Sequence, residues 1–380
     1  IYICKKTYNR NNKKMTHVIK FNNKMTYTYI CLVSLLCVLA NVFCVLLFQM
    51  AIRWGIVSAG KISHDFVTAL NTLPKSEHEV VAVAARDFSR AQAFSNLHKI
   101  KKAYDNYVKL AEDEDIDVIY IGTVNTQHFE VAKLMLNRGK HVLCEKPLTM
   151  NLKRTNELIQ LARDKQVFLM EAIWSRCFPV YEELKKEIDS GNIGEIRQVL
   201  VFFGFKMPEV ERVNMKSLGG GTVLDLGVYG IQFACLMYNN EVPHTVRAVG
   251  CLNEDGVDQS VTANFLYEGG RTVTIITHSL IDLPNEAYII GTKGTLKIPN
   301  FWCPTTVELT NGTINVPLPE VKHELNFLNS AGLRYEAEEV RNCILKGAIE
   351  SSKVPHHVSS LVAQLEDEIR RQVGVVYPED

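Results

Sequence analysis

The chain has 380 residues, with 42 basic and 42 acidic side chains, 47% hydrophobic and 22% charged content; this composition is ordinary for a globular protein and long enough for two domains. The zero net charge hides an asymmetry, because residues 1–24 hold seven Lys/Arg and no acid, leaving 35 basic residues against all 42 acids. An acidic body of this kind gives no electrostatic case for nucleic acid as a partner.

Residues 30–48 are a nineteen-residue apolar run broken only by Ser34 and Asn41, behind Lys5, Lys6, Arg10, Lys13, Lys14, Lys20 and Lys24. Alone, this is the pattern of a membrane anchor with a positive cytoplasmic flank. Met50, however, stands where an initiator is expected, and a strand beginning by Arg53 leaves about four residues, at roughly 3.5 Å each, to clear a headgroup layer. The expectation is that residues 1–49 are absent from the working protein. It is cytoplasmic if translation starts at Met50, and membrane-anchored if the apolar run is genuine. Of the ten cysteines, the six beyond this leader (Cys144, Cys177, Cys235, Cys251, Cys303 and Cys343) show no C-x-x-C and no close histidine partner. Neither a metal site nor a disulfide framework is expected, and a reducing compartment fits.

Residues 53–59 read as a strand that breaks at Gly60 into a helical pattern with Ile62, Phe66, Val67 and Leu70. Strand, small-residue turn and helix N-terminus form the geometry that cradles a pyrophosphate. Of the G-x-G-x-x-G/A fingerprint only the central glycine is kept, its positions being Ser58, Gly60 and Ser63. The next run, 80–85, ends in Arg86, where an acid would select NAD and an arginine accommodates the 2′-phosphate of NADP. Residues 117–122 read as a third strand. After it come Thr123, a cap at Thr126, and a helix through Leu136 with His128 in its first turn. A fourth strand, 140–144, ends in Glu145-Lys146-Pro147, and a helix over 152–164 leads to a fifth strand, 167–173. Strands alternating with helices in this way give a parallel sheet with ligands at the carboxyl ends of its strands, where Lys146 lies.

After Trp174 the rhythm changes. A helix over 179–190 precedes alternating runs at 196–205, 244–252, 260–267, 272–279 and 286–291, which read as a mainly antiparallel sheet. Within this part Gly219-Gly220-Gly221 opens a helix over 222–238 that places Asp225 and Tyr229 four residues apart on one face. A tyrosine of ordinary pKa about 10 works as a base near neutrality only if a cation stabilises its phenolate, and Lys146 is the candidate. Two helices, 334–345 and 357–373, close the chain, with Glu336, Glu338 and Glu339 expected on a solvated face. The expected architecture is α/β: a Rossmann-type parallel sheet over 50–174, then an α+β domain with a large open sheet over 175–380. That sheet has an uncovered face suited to a homodimer.

The strand-end E-K-P, together with G-G-G-T-V-L-D-L-G-V-Y in a sheet domain, resembles the Gfo/Idh/MocA oxidoreductase family. R-W-G-I-V-S-A-G-K-I-S, V-V-A-V-A-A-R-D-F-S-R-A, V-L-C-E-K-P and F-L-M-E-A-I-W-S-R resemble in particular its members that act on dihydrodiols. The resemblance implies Lys146 and Tyr229 as the catalytic pair with Asp225 beside them. It implies NADP as cofactor, held by Ser58, Gly60, Lys61, Ile62, Arg86, Thr123, His128, Glu145 and Lys146. Trp174, Arg176 and Phe178 are then implied to line the substrate cleft. The expected reaction is oxidation of trans-dihydrodiols of aromatic hydrocarbons, of D-xylose, or of both, by hydride transfer to NADP. A different sugar or carbonyl reductase of the same family is one alternative, and a non-catalytic NADP-binding sensor is another.

Overall fold

In the computed structural model, residues 51–380 are described; the apolar run at 30–48, Met50 and the basic flank lie outside them. The first half builds β1 (Ile52–Val57), α1 (Lys61–Leu70), β2 (His78–Ala84), α2 (Phe88–His98), β3 (Lys102–Tyr104) and α3 (Tyr107–Glu112). There follow β4 (Val118–Ile121), α4 (His128–Asn137), β5 (His141–Cys144), α5 (Leu152–Lys165) and β6 (Leu169–Glu171). These strands pair in parallel in the order β3-β2-β1-β4-β5-β6. All four residues of β4 are buried, as strands covered on both faces require. The chain winds one way from β1 and the other way from β4, so the crevice between their ends is the switch point at which ligands bind in such sheets.

The parallel sheet agrees with expectation, but it has six strands. The edge strand β3 is only Lys-Ala-Tyr and half-buried, too short to leave an apolar run. Val118–Ile121 is therefore the fourth strand, and the one ending at Cys144 the fifth. Thr126 is not a cap: it lies inside a 3-10 turn, Asn125–Gln127, which runs directly into α4.

The second half opens with α6 (Pro179–Asp189) and β7 (Ile196–Gly204), then reaches α7 (Val228–Met237) after an irregular stretch. Next come β8 (Thr245–Leu252), β9 (Asp258–Leu266), β10 (Thr272–His278), β11 (Glu286–Gly291), β12 (Thr295–Pro299), β13 (Thr306–Leu309) and β14 (Gly312–Asn315). The order is β14-β13-β12-β11-β7-β10-β9-β8, antiparallel throughout except β7 with β10. Strands β12 to β14 were not expected, being short and interrupted by Pro299, Pro304 and Gly312. Along β10 burial alternates residue by residue, so the sheet has one inner face. Gly230 brings α7 against that face, where a Cβ would stand 2.8 Å from Ile275 Cγ2. The stretch Lys216–Met237 is apolar enough to cross a membrane by composition, yet 94% of its most apolar window is buried inside the protein.

Two helices end the chain, α8 (Leu333–Leu345) and α9 (His356–Val373). Glu336 on α8 is fully buried, against the expectation of a solvated face, because α8 packs on α1 and on the 3-10 turn Trp174–Cys177. Burial pushes its carboxyl well up, with Glu145 adding to the shift. Helix α9 touches α5, α7 and β8, and so belongs to both halves. His356 Nε2 bonds Leu169 O at 3.0 Å, and Arg370 donates to Met150 O at 3.0 Å.

Candidate active site

At the end of β1, Ser58 has φ 77, the left-handed region that favours glycine. Its hydroxyl donates to Gly122 O at 2.7 Å, which ties the ends of β1 and β4 together. The Ser58 position therefore keeps the glycine conformation of the fingerprint with a serine side chain. Gly60 then caps α1 without any side-chain acceptor for the first N–H groups, as a helix that meets an anion requires. Ser63 fills the third fingerprint position at close quarters: a Cβ on Gly122 would stand 2.6 Å from its Oγ. Ser63 Oγ and Thr123 Oγ1 are buried without a hydrogen-bond partner among the described residues. Uncapped helix, small residues and orphaned hydroxyls fit the diphosphate of a dinucleotide. Lys61 is exposed and Ile62 half-buried at the start of α1, and Arg86 is exposed just past the end of β2.

Beyond β5, Glu145 is buried, and its Oε1 accepts from Tyr120 Oη at 2.6 Å. Burial raises its pKa, the Tyr120 bond and the Lys146 charge opposing. His128 is fully buried, with Nδ1 2.7 Å from Pro147 O and Nε2 3.1 Å from Thr123 O. It joins the loops after β4 and β5; burial lowers its pKa, so the neutral ring donates to one of the two carbonyls. Lys146 reaches the second half, where Nζ donates to Asp225 O at 2.7 Å and Oδ1 at 3.1 Å.

The helix expected over 222–238 begins with a π-turn, Val223–Gly227, before α7. Wide turns of this kind re-aim side chains, and here both the carbonyl and the carboxylate of Asp225 meet one ammonium. Asp258, at the start of β9, braces the turn: its Oδ2 accepts from Val223 N and from Thr222 Oγ1, each at 2.7 Å. Lys146 Nζ also lies 4.8 Å from the Tyr229 ring centroid, within cation–π range. Tyr229 Oη accepts from Trp174 Nε1 at 3.0 Å, which leaves the phenol's own hydrogen available.

The expected lowering of the Tyr229 pKa by Lys146 is corrected. Burial pushes this phenol well above its ordinary value, Glu145 and Asp225 add to that, and the Trp174 bond opposes it. The ammonium faces the ring instead of Oη and is paired with Asp225. Asp225 is itself desolvated, but Arg212 and Lys146 outweigh this and hold its carboxyl well below the usual range.

Lys146, Asp225, Tyr229 and Trp174 thus come together across the cleft, with Glu145 and His128 supporting the loop from below. Arg176 does not join them. Its guanidinium is buried and donates to Gln232 Oε1 at 2.9 Å and Gln232 O at 2.8 Å. Phe178 lies behind Trp174, edge-on at 5.3 Å, and is 1% exposed. Two neighbours escaped the sequence reading. Arg212, from a single helical turn Glu211–Asn214, donates to Asp225 Oδ1 at 2.6 Å. Asn125 Nδ2 donates to Gly219 O at 2.8 Å, linking the glycine triplet to the first half. In sequence both look like ordinary polar loop residues, and nothing in their spacing sets them apart.

A phosphate-cradling half facing a half that carries a carboxylate and a phenol is the division of labour of a two-part dehydrogenase. Comparison with known proteins gives the family. Residues 52–173 match the Gfo/Idh/MocA oxidoreductase family, NAD-binding Rossmann fold, and residues 181–297 match the GFO/IDH/MocA C-terminal domain. The chain is 47% identical over 332 residues to trans-1,2-dihydrobenzene-1,2-diol dehydrogenase of Danio rerio, covering 87% of this chain and 99% of that protein. With the Homo sapiens protein of the same name it shares 42% over 332 residues, again 87% and 99%. Among solved structures it is similar to a 3-ketoreductase from Actinomadura kijaniata in complex with TDP-benzene and NADP, with TM-score 0.69, 25% identity, and 85% and 98% coverage. The fold also matches aldose-aldose oxidoreductase from Caulobacter crescentus, with TM-score 0.72, 20% identity, and 85% and 98% coverage. The chain belongs to the Gfo/Idh/MocA oxidoreductase family.

Proposed function

We propose that this protein is an NADP-dependent dehydrogenase acting on trans-dihydrodiols of aromatic hydrocarbons, on D-xylose, or on both, with Lys146, Tyr229 and Asp225 as its catalytic residues. The observation that carries the reading is the phenol of Tyr229, oriented by Trp174 and covered by Lys146, in a chain 47% identical to a dihydrodiol dehydrogenase. Ser58, Gly60, Lys61, Ile62 and Thr123 would hold the cofactor's diphosphate, and Arg86 its 2′-phosphate. NADP supplies the hydride acceptor when bound. Tyr229 takes the hydroxyl proton of the substrate in oxidation and returns it in reduction, while Lys146 steadies negative charge on the reacting oxygen. Asp225 fixes the Lys146 ammonium, and Trp174 holds the phenolic oxygen in place.

Positioned acid–base catalysis contributes on the order of 10²- to 10⁴-fold. Tyr229→Phe and Lys146→Met are therefore expected to lose about that much turnover, followed by absorbance of NADPH with D-xylose and with a dihydrodiol, while still binding NADPH. Wild-type rates in both variants refute the assignment; tight NADPH binding with no turnover of either substrate by the wild type favours a sensor.

A homodimer through the second sheet belongs to the same reading. The face turned away from the helices carries half-buried Leu200, Phe202 and Ile276 and the 72% exposed Val249. Light scattering giving the monomer mass at micromolar concentration overturns it.

A further inference from the structure

We propose that Arg212 is a positioning residue that neutralises Asp225 and so leaves the positive charge of Lys146 free for the reacting oxygen. The inference rests on the Lys146–Tyr229 reading and adds a residue to it. Asp225 Oδ1 is shared by two cations, and the arginine is the nearer, at 2.6 Å against 3.1 Å for Lys146 Nζ. Without Arg212, Lys146 and Asp225 would make a neutral pair whose field at a third atom largely cancels. With it, the triad carries one net positive charge in a setting where the lysine and aspartate side chains are only 13% and 7% exposed.

Arg212 suits this role because its guanidinium stays charged at any working pH. The side chain is 44% exposed, and its bond to Asp225 is the one hydrogen bond it makes among the described residues. It is therefore not built into the frame as Arg176 is, with four acceptors around its guanidinium.

The charged and titratable groups facing Tyr229 are Glu145 and Lys146 after β5, Tyr120 on β4, Asp225 on the π-turn, Arg212, and the Cys303 thiol. Two of these are carboxylates that oppose ionisation of the phenol. Arg212 is the group that offsets one of them, Asp225, without occupying Lys146.

The test is a double-mutant cycle in the full-length enzyme with NADP and D-xylose or a dihydrodiol, whichever the wild type turns over. Arg212→Gln is expected to lower kcat by about 10²-fold, the scale of one preorganised electrostatic contact, with KM little changed. The rise of its oxidation rate with pH, which reports the phenol acting as base, should move to higher pH. Arg212→Lys keeps the charge and should keep most of the rate. In the Asp225→Asn background, Arg212→Gln should have almost no further effect, because there is no carboxylate left to neutralise.

Equal damage by Gln and Lys, an unmoved pH profile, or additive losses in the double variant overturn the Arg212 assignment and leave a structural role. A normal Arg212→Gln enzyme beside inactive Lys146→Met and Tyr229→Phe removes this inference alone. Full turnover in Lys146→Met and Tyr229→Phe removes the reading beneath it. NADPH binding and circular dichroism of each variant separate loss of fold from loss of rate.

Discussion

Asp258 couples the brace beneath the site to pH. It is 1% exposed, and burial raises its pKa from 3.8 to about 6 even though Thr222 and Val223 hydrogen-bond it. A raised folded-state pKa means the native protein prefers the proton. The stability this contributes is complete below the unfolded pKa and is lost as pH rises through about 6. At about 1.36 kcal/mol per pKa unit, the loss approaches ~3 kcal/mol at neutral pH. Asp258→Asn keeps an oxygen for Val223 N–H and the Thr222 hydroxyl and has no charge to bury. It is expected to gain about 1.4 kcal/mol relative to wild type between about pH 5 and 7.5, since roughly half the effect is already present at pH 5. Urea denaturation of both proteins at the two pH values measures this, taking the change in midpoint difference times the slope. Every other titrating group is common to the two proteins and cancels. A midpoint difference that stays constant, or one that shrinks as pH rises, refutes the reasoning.

The Tyr229 phenol, held above its ordinary pKa by burial, Glu145 and Asp225, is mostly protonated at neutral pH. Oxidation, which needs it as a base, should accelerate into the alkaline range while reduction, which needs its proton, slows there; pH profiles of the two directions falling together would contradict this. Gly332→Ala would drive a Cβ into the Phe178 ring, and overpacking of this kind costs about 1–3 kcal/mol. A drop of roughly 1–4 °C in thermal midpoint is expected for a chain of this size, with reduced turnover because Phe178 supports the Trp174 indole that holds Tyr229. An unchanged midpoint would show that the ring yields freely.

Much of the fold could be read from the sequence because buried parallel strands leave continuous apolar runs, as in Val118–Ile121, and antiparallel ones leave alternation, as in Thr272–His278. What escaped was short or conditional. Strand β3 owes its existence to pairing with β2, not to its own three residues. Glu336 looked like a surface acid because no local pattern announces that α8 is covered by α1 and the Trp174 turn on its acidic side. Lys146, Asp225 and Tyr229 were legible since each stands at a punctuated point, a strand end or a glycine-led helix start. Arg212 was not, because its partner lies across a glycine-rich loop and nothing in E-V-E-R-V-N marks one charge above the others. The direction of the Tyr229 shift also lay beyond the sequence, which can pair a phenol with a cation but cannot tell whether the cation meets the oxygen or the ring.

Helix α9 ties β6 and the loop before α5 to residues made much later, with a separation of 187 positions from Leu169 to His356. Leu169 N likewise donates to Ile349 O at 3.1 Å. The nucleotide-type half emerges from the ribosome before the second sheet, yet its outer edge is finished only by α9. During synthesis that edge strand waits unpaired while the whole second sheet is made, exposed to chaperones and to neighbouring nascent chains. A stop codon ahead of His356 would thus spoil the nucleotide-type half as surely as the second sheet.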